Sequence, residues 1–252
     1  MKIVVIGGTG LLGSKVVTAL GELGHDAVAA APSTGVDTIT GAGVADALAG
    51  ADVVADLSNS PSWEDDAVLE FFRTSTTNLL AAAGQAGVRH YLAMSIVGAD
   101  RLPDSGYLRA KVAQEQLVEA GGLPYTIVRA TQFFEFVPAI ADSATEGDAV
   151  HMAPVGFQPI AAADLADKVA RIAVAAPVNG VVEIAGPDRV PMDEFFRNAL
   201  ARRDDARRVV TDVHARYFGT ELADGSLVPA GEAVLGTTRF AEWTGAAGAY
   251  PV

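Results

Sequence analysis

The chain opens with MKIVVIGGTGLLG, and no other stretch limits its fold so strongly. Lys2–Ile6 is a short run rich in β-branched residues, the pattern of a strand buried on both faces. Leu11–Leu23 follows as a helix with Leu12, Val16, Ala19, Leu20 and Leu23 on one face, and Gly24 ends it. Between them Gly8, Gly10 and Gly13 satisfy G-x-G-x-x-G. Gly8 permits the tight turn out of the strand, Gly10 lets backbone approach a pyrophosphate, and Gly13 lets the helix pack close to the sheet. The helix N-terminus offers unpaired N–H groups and the positive end of its dipole to phosphates. In this strand–turn–helix setting Gly7, Gly8, Thr9, Gly10, Leu11, Leu12 and Gly13 are expected to bind a dinucleotide.

The same rhythm continues. Strands are expected at Asp26–Ala31, Asp52–Leu57, His90–Ser95 and Tyr125–Arg129, with room for a brief one at Asp37–Thr40. Helices are expected at Asp65–Ala86, closed by Gly87, and at Ser105–Ala120. Alternating strands and helices predict an α/β protein with a doubly wound, Rossmann-type parallel sheet. After Arg129 the alternation loosens. Phe133–Ala144, Ala162–Ala175 and Met192–Arg203 read as helices and Val181–Ile184 as a strand. We therefore expect a cofactor-binding core over residues 1–132. Residues 133–252 should return to that core at about 158–186 and otherwise form a small substrate lobe, with the tail beyond Asp212 over the carboxyl edge of the sheet.

Composition removes several classes of function. The 252 residues carry a formal net charge of −13, which repels phosphate backbones and argues against nucleic-acid binding. There is no cysteine, so disulfides, thiolate catalysis and cysteine-ligated zinc are excluded. His25, His90, His151 and His214 share no ligand spacing, and no metal is expected. The N-terminal apolar run is too short for a signal peptide, and no stretch is long and apolar enough to span a membrane. The expectation is a cytoplasmic monomer or homodimer.

Cofactor choice turns on the end of the second strand. A carboxylate there would hold the ribose hydroxyls of NAD, but the chain reads Ala29, Ala30, Ala31, Pro32, Ser33, Thr34. Nothing there repels a 2′-phosphate. Ser33 and Thr34 could donate to one and Lys15 could add charge, so NADP(H) is favoured over NAD(H).

In SGYLRAK (residues 105–111), Tyr107 and Lys111 stand one helical turn apart on one face, just after the strand that ends at Ser95. Ligands of such sheets bind beyond the carboxyl ends of the strands. A free phenol is a poor acid–base catalyst at neutral pH, and a nearby ammonium favours the phenolate. The pair suggests proton transfer by Tyr107, with Lys111 tuning it and holding the nicotinamide ribose. Ser95 would bond the substrate oxygen. Phe133, Phe134 and Phe136, with Met152, Phe157, Tyr217 or Phe218, either fill core or line an apolar substrate pocket. Glu64, Asp65 and Asp66 suit the start of a helix, and Arg202, Arg203, Arg207 and Arg208 read as a solvated cluster.

Together, GGTGLLG, ALAGADVVADLSNS (47–60), TTNLLAAAGQAGVRHYLAMS (76–95), YLRAK (107–111), PYTIVRATQFFE (124–135), QPIAAADLA (158–166) and GVVEIAGP (180–187) resemble the atypical short-chain dehydrogenase/reductase group and, within it, the NmrA-like proteins. The resemblance implies a Rossmann domain that binds NAD(P) and a smaller C-terminal substrate lobe. It implies that Leu57, Ser58, Asn59 and Ser60 line the adenosine side of the cleft. Ser95 would lie near the nicotinamide, and Arg129–Phe133, including Ala130 and Thr131, would wall that site. The leading expectation is an NADP-dependent reductase of a carbonyl or polarised double bond in an apolar small molecule, such as a quinone or aromatic ketone. A non-catalytic NADP-sensing regulator, or an epimerase or isomerase on the same fold, stays open beside it.

Overall fold

Seven parallel strands organise residues 1–244, the part of the chain that the computed structural model describes. The first half runs β1 (Lys2–Ile6), α1 (Leu11–Glu22), β2 (Asp26–Ala30), α2 (Val44–Leu48), β3 (Val53–Asp56), α3 (Asp65–Ala86), β4 (His90–Ile96), α4 (Gly106–Ala120) and β5 (Tyr125–Ala130). The second half runs α5 (Val137–Ser143), β6 (Thr145–Glu146), β7 (Ala149–Met152), β8 (Gly156–Phe157), α6 (Ala162–Val174), β9 (Gly180–Ala185) and β10 (Val190–Pro191). It ends with α7 (Met192–Ala201), β11 (Arg208–Thr211), β12 (Arg216–Tyr217), β13 (Thr220–Glu221) and β14 (Val234–Leu235). Across the main sheet the order is β14-β9-β5-β4-β3-β1-β2. The chain builds β2 on one side of β1 and β3 on the other, so the winding reverses at β1. A crevice for ligands opens at such a point, beyond the carboxyl ends of β1 and β3.

Both faces of the sheet are buried, which is why its strands read as continuous apolar runs. On one face Val5, Leu92 and Val128 pack with Leu12 and Val16 of α1 and Leu165 and Val169 of α6. On the other, Val4, Val54, Tyr91 and Ile127 pack with Leu48 of α2, Leu79 of α3 and Val118 of α4. The return segment thus lies in the main layer: α6 covers the sheet beside α1, and β9 pairs with β5 from Thr126↔Gly180 to Ala130↔Ile184.

Two local expectations need correction. Asp37–Thr40 forms no strand. The Asp37 carboxylate accepts from the N–H groups of Ile39 (2.8 Å) and Thr40 (3.2 Å), closing a turn in which the side chain replaces a sheet partner. Asn78 of α3 donates to the carbonyls of Thr38 and Ile39, so this segment docks on α3 and leaves β2 at the sheet edge. The tail also differs. Val234 and Leu235 pair in parallel with Ile184 and Ala185, adding a seventh strand that two residues are too short to announce by periodicity.

The lobe gathers α5, α7 and the short strands around an aromatic core. Phe157, Phe195 and Phe196 are buried together, and Phe134 meets Phe240 and Trp243 edge-on at 5.1 and 5.6 Å. Arg207 bonds Asp205, Asp142 and Thr145, and Arg202 donates to the Ala241 carbonyl, so two arginines of the expected solvated cluster serve as braces. Among the described residues, no helix is long and apolar enough to cross a membrane.

An ion pair between half-buried Arg129 and buried Glu115 fixes α4 to the sheet. The Arg129 guanidinium donates to both oxygens of Glu115 at 2.9 and 2.6 Å and to Asp100 at 3.0 Å. Removing one partner strands a buried charge, whereas replacing both removes the problem. We expect Arg129→Met to cost about 3–5 kcal/mol in urea unfolding, and Glu115→Leu combined with Arg129→Met to recover most of that loss. Equal losses in the single and double variants would show that packing, not the ion pair, holds α4.

Candidate cofactor and substrate site

The glycine loop crosses the crevice with a division of labour that differs from the sequence expectation. Gly7 makes the left-handed turn out of β1 (φ +74°), and an ideal Cβ there would lie 2.8 Å from the Leu57 carbonyl oxygen. Gly8 serves close approach: a Cβ would sit 2.7 Å from Ala29 Cα on β2. A Cβ on Gly13 would overlap the Gly7 carbonyl oxygen, so this glycine is what seats α1 on the loop. Gly10 faces open space apart from the Gly7 carbonyl oxygen, 3.2 Å from an ideal Cβ. The first helical bond of α1 runs from Ser14 to Gly10 at 3.0 Å, so the N–H groups of Leu11, Leu12 and Gly13 precede it and are left for a ligand. No acidic residue stands in that first turn to offset the dipole. This cradle fits a pyrophosphate.

Beyond β2 and β3 lie the residues expected around the adenosine half. The Ser33 hydroxyl donates to Thr9 across the loop at 3.4 Å, and both residues are exposed. Thr34 is engaged elsewhere, since its hydroxyl accepts from the Ala31 N–H at 2.9 Å and caps the short turn Pro32–Thr34. Lys15 is exposed on α1 and its charge acts on Glu135, whose carboxylate accepts from the N–H at the start of α6. On the β3 side, Leu57 and Ser58 are half-buried and Asn59 is exposed.

The reactive half would lie at the ends of β4 and β5. Ser95 is buried on β4, in register with Arg129, and its hydroxyl makes no hydrogen bond. One residue past β5, the Thr131 hydroxyl is likewise buried without a partner, and Ala130 closes the strand. Orphaned hydroxyls are rare because each costs the desolvation of a polar group. Two of them on adjacent strands beyond the crevice fit a bound polar ligand such as a nicotinamide carboxamide or a substrate oxygen.

Tyr107 and Lys111 both reach this region, but not each other. Ser105 caps α4, accepting from the Leu108 N–H at 3.4 Å, so the helix begins at Gly106 with Tyr107 in its first turn. The Tyr107 hydroxyl donates to Asn59 at 2.9 Å. Lys111 is 3 % exposed. Its ammonium lies 4.1 Å from the Phe72 ring centroid and donates to the Gln114 amide oxygen. Burial pushes the Tyr107 phenol well above its ordinary range, with the Asn59 bond opposing. Burial also pushes Lys111 down to about 8, against the pull of Asp56 and Glu115. The expected lowering of the tyrosine by the lysine is therefore absent from this arrangement. Both groups are desolvated, and each is bonded to an amide.

The phenylalanines split. Phe134 is buried in the lobe core, while Phe133 is half-buried and stacks on Phe136 at 5.1 Å. Met152 and Phe157 are core as well. The aromatic surface nearest Tyr107 comes instead from Trp63, 5.0 Å away between centroids, which stacks on Phe218 at 5.9 Å. Tyr217 lies beside Tyr107 and Gln132. Trp63 had no signal in the sequence, because its role depends on a hairpin more than 150 residues away. Asp56 was detectable: an acid ending the buried run VVAD needs a reason. Among the described residues, no group of His, Cys, Asp or Glu could hold a metal ion.

The sequence profile of a family described as NAD(P)H-binding matches residues 7–176, which include the glycine loop, the ends of β3, β4 and β5, and α6. The chain belongs to this NAD(P)H-binding family. No curated protein matches it significantly. Among solved structures it is similar to UDP-glucose 4-epimerase of Thermus thermophilus in complex with NAD, with TM-score 0.69 and 17% identity over 88% of this chain and 90% of that one. It is similar to the NADPH-dependent quinone oxidoreductase of Escherichia coli complexed with NADPH, with TM-score 0.65 and 21% identity over 83% and 78%. It is also similar to dTDP-4-dehydrorhamnose reductase of Bacillus anthracis in complex with NADP, with TM-score 0.67 and 16% identity over 84% of each chain. At such identities the likeness is one of fold.

The loop geometry separates two glycine substitutions. Gly10→Val should keep the melting temperature within a few degrees and abolish NADPH binding by calorimetry, because its side chain enters the space left for the pyrophosphate. Gly13→Val should lower the melting temperature strongly, because it drives α1 off the loop. Unchanged NADPH affinity in Gly10→Val would show that the loop is only a turn.

Proposed function

We propose that this protein is an NADPH-dependent reductase of a carbonyl or other polarised double bond in a planar apolar small molecule, with quinones and aromatic ketones as the substrate class. The observation that carries this reading is the pair of unpartnered buried hydroxyls, Ser95 and Thr131, at the ends of β4 and β5, together with a cluster of aromatic rings around Tyr107. That cluster is Trp63, Tyr107, Tyr217 and Phe218; Trp63 and Phe218 are each 44 % exposed, an unusual display for large rings. Exposed aromatic faces offer stacking to a planar substrate.

The cofactor supplies hydride when bound. The Ser95 hydroxyl is free to donate to the substrate oxygen and orient it. Tyr107 delivers the proton to that oxygen, and its phenolate regains a proton from solvent. A phenol raised by burial keeps its proton throughout the neutral range, which suits a donor in reduction better than a base. To act, Tyr107 must exchange Asn59 for the substrate. Preference for NADPH is supported by the uncharged surface after β2, where Ser33 and Thr9 stand open to a 2′-phosphate and no carboxylate opposes it.

A second reading draws on the same bonds. Tyr107 and Lys111 are both held by protein amides, as suits a member that binds NADP and alters contact with a protein partner without turnover. The experiment that separates them is NADPH oxidation with a panel of quinones and aromatic ketones. Turnover is expected, and Tyr107→Phe should lower kcat by roughly 10²–10⁴ with NADPH affinity retained. Tight NADPH binding with no turnover across the panel would favour the regulator. Calorimetry should also show tighter binding of NADPH than of NADH; the reverse order would remove the argument from the missing carboxylate.

A further inference from the structure

Asp56 is a buried carboxylate at the end of β3 that accepts hydrogen bonds from three separate elements. One oxygen takes the N–H and the hydroxyl of Ser58 at 3.1 and 2.6 Å. The other takes the Tyr91 hydroxyl from β4 and the Gln114 amide N–H from α4, both at 3.0 Å. Gln114 is buried too, and its amide is fully specified: the nitrogen must face Asp56, so the oxygen must face the Lys111 ammonium, which it binds. The relay therefore runs from the loop after β3, through Asp56 and Gln114, to Lys111.

We propose that Asp56 and Gln114 are positioning residues for Lys111, aiming its ammonium, holding it charged, and tying its placement to the loop Leu57–Ser60, the expected adenosine side of the cleft. The proposal rests on the expectation from the sequence that Lys111 holds the nicotinamide ribose of the cofactor. Its physical need is plain. An ammonium with almost no exposure loses its hydration, and burial alone favours the neutral amine. The groups that act on it are Asp56 from β3, Glu115 on its own helix, itself neutralised by Arg129, and the Phe72 ring from α3. Tyr91, also bonded to Asp56, is pushed up by burial and by that carboxylate and stays neutral. Asp56 is thus the buried carboxylate left to balance Lys111. The same carboxylate fixes Ser58, and Asn59, next along the loop, accepts from Tyr107, so one loop is bonded toward both Lys111 and Tyr107.

The chain has four lysines, Lys2, Lys15, Lys111 and Lys168, so carbon-13 NMR of protein labelled at the lysine ε-carbons can follow Lys111 directly in the absence of cofactor, with Lys111→Met as the assignment. Its titration midpoint is expected near 8. Asp56→Asn should move that midpoint down by roughly 1, Gln114→Leu should move it down by less, and Gln114→Glu, which restores an acceptor and adds charge, should move it back up. NADPH affinity should fall as pH rises through the midpoint, and the fall should begin at lower pH in Asp56→Asn and Gln114→Leu. If Asp56→Asn does not fold, the Gln114 pair decides. A midpoint that stays put in every folded variant overturns the proposal, whatever the melting temperatures do. An NADPH affinity that ignores Lys111→Met overturns instead the reading of the site on which the proposal stands.

Discussion

Everything at this site depends on how closely α1 can approach the loop that feeds it. Gly13 lies against the Gly7 carbonyl, Gly8 against Ala29 of β2, and Gly7 against the backbone of Leu57 after β3. Three strands and one helix thus meet almost entirely through backbone. Any side chain at these points would separate them, and the crevice between β1 and β3 would lose its floor. Because the contacts use almost no side chains, no hydroxyl or carboxylate fills the helix end, and its N–H groups remain for a ligand. Fold and binding capacity share one cause here.

The two faces of the sheet are built differently. The α1/α6 face is apolar except at its amino end, where buried His90 and Thr126 bond each other at 2.9 Å. The α3/α4 face turns polar toward the carboxyl ends of the strands, where Asp56, Ser95, Lys111, Gln114, Glu115 and Arg129 are brought under cover. Buried ions need partners, and here they come from elements that must be in register for the bonds to form. Glu115 and Arg129 locate α4 on β5, and Asp56 and Gln114 locate it on β3. The close packing of α3 on α4 belongs to the same system, since a Cβ on Gly106 would overlap the Asp65 carboxylate that Arg109 binds. The polar face is costly to stability and is placed where geometry at the ligand matters most.

What the sequence made legible follows from range. Strands such as Lys2–Ile6 and helices such as Leu11–Glu22 announce themselves because burial on both sheet faces and one helix face leaves a local pattern. The glycine loop was legible for the same reason, although the turn falls on Gly7 and the close approach on Gly8. Asp37–Thr40 misled because its alternation is that of a turn whose aspartate bonds its own backbone. Val234–Leu235 was invisible because its partner lies about fifty residues back and only two residues pair. The positions of Tyr107 and Lys111 on α4 were readable, but their partners were not. Asn59, Phe72 and Asp56 come from β3, the loop after it and α3, and helical spacing says nothing about which of them a side chain will meet.

The lobe explains how a tyrosine in the first turn of α4 comes to be covered. Phe218 holds a positive φ of 45°, a conformation unfavourable to a bulky side chain, at the tip of the two-strand ribbon β12–β13. The neighbouring Gly219 (φ +84°) completes the turn at no such cost. The strained residue is the one that stacks on Trp63, and Trp63 in turn lies on Tyr107. A turn built from ordinary residues would have spared the strain and lost the ring. Phe218 meets Trp63, and Trp63 meets Tyr107, through ring faces rather than directed bonds. The Asn59 bond supplies direction and the stacking supplies cover.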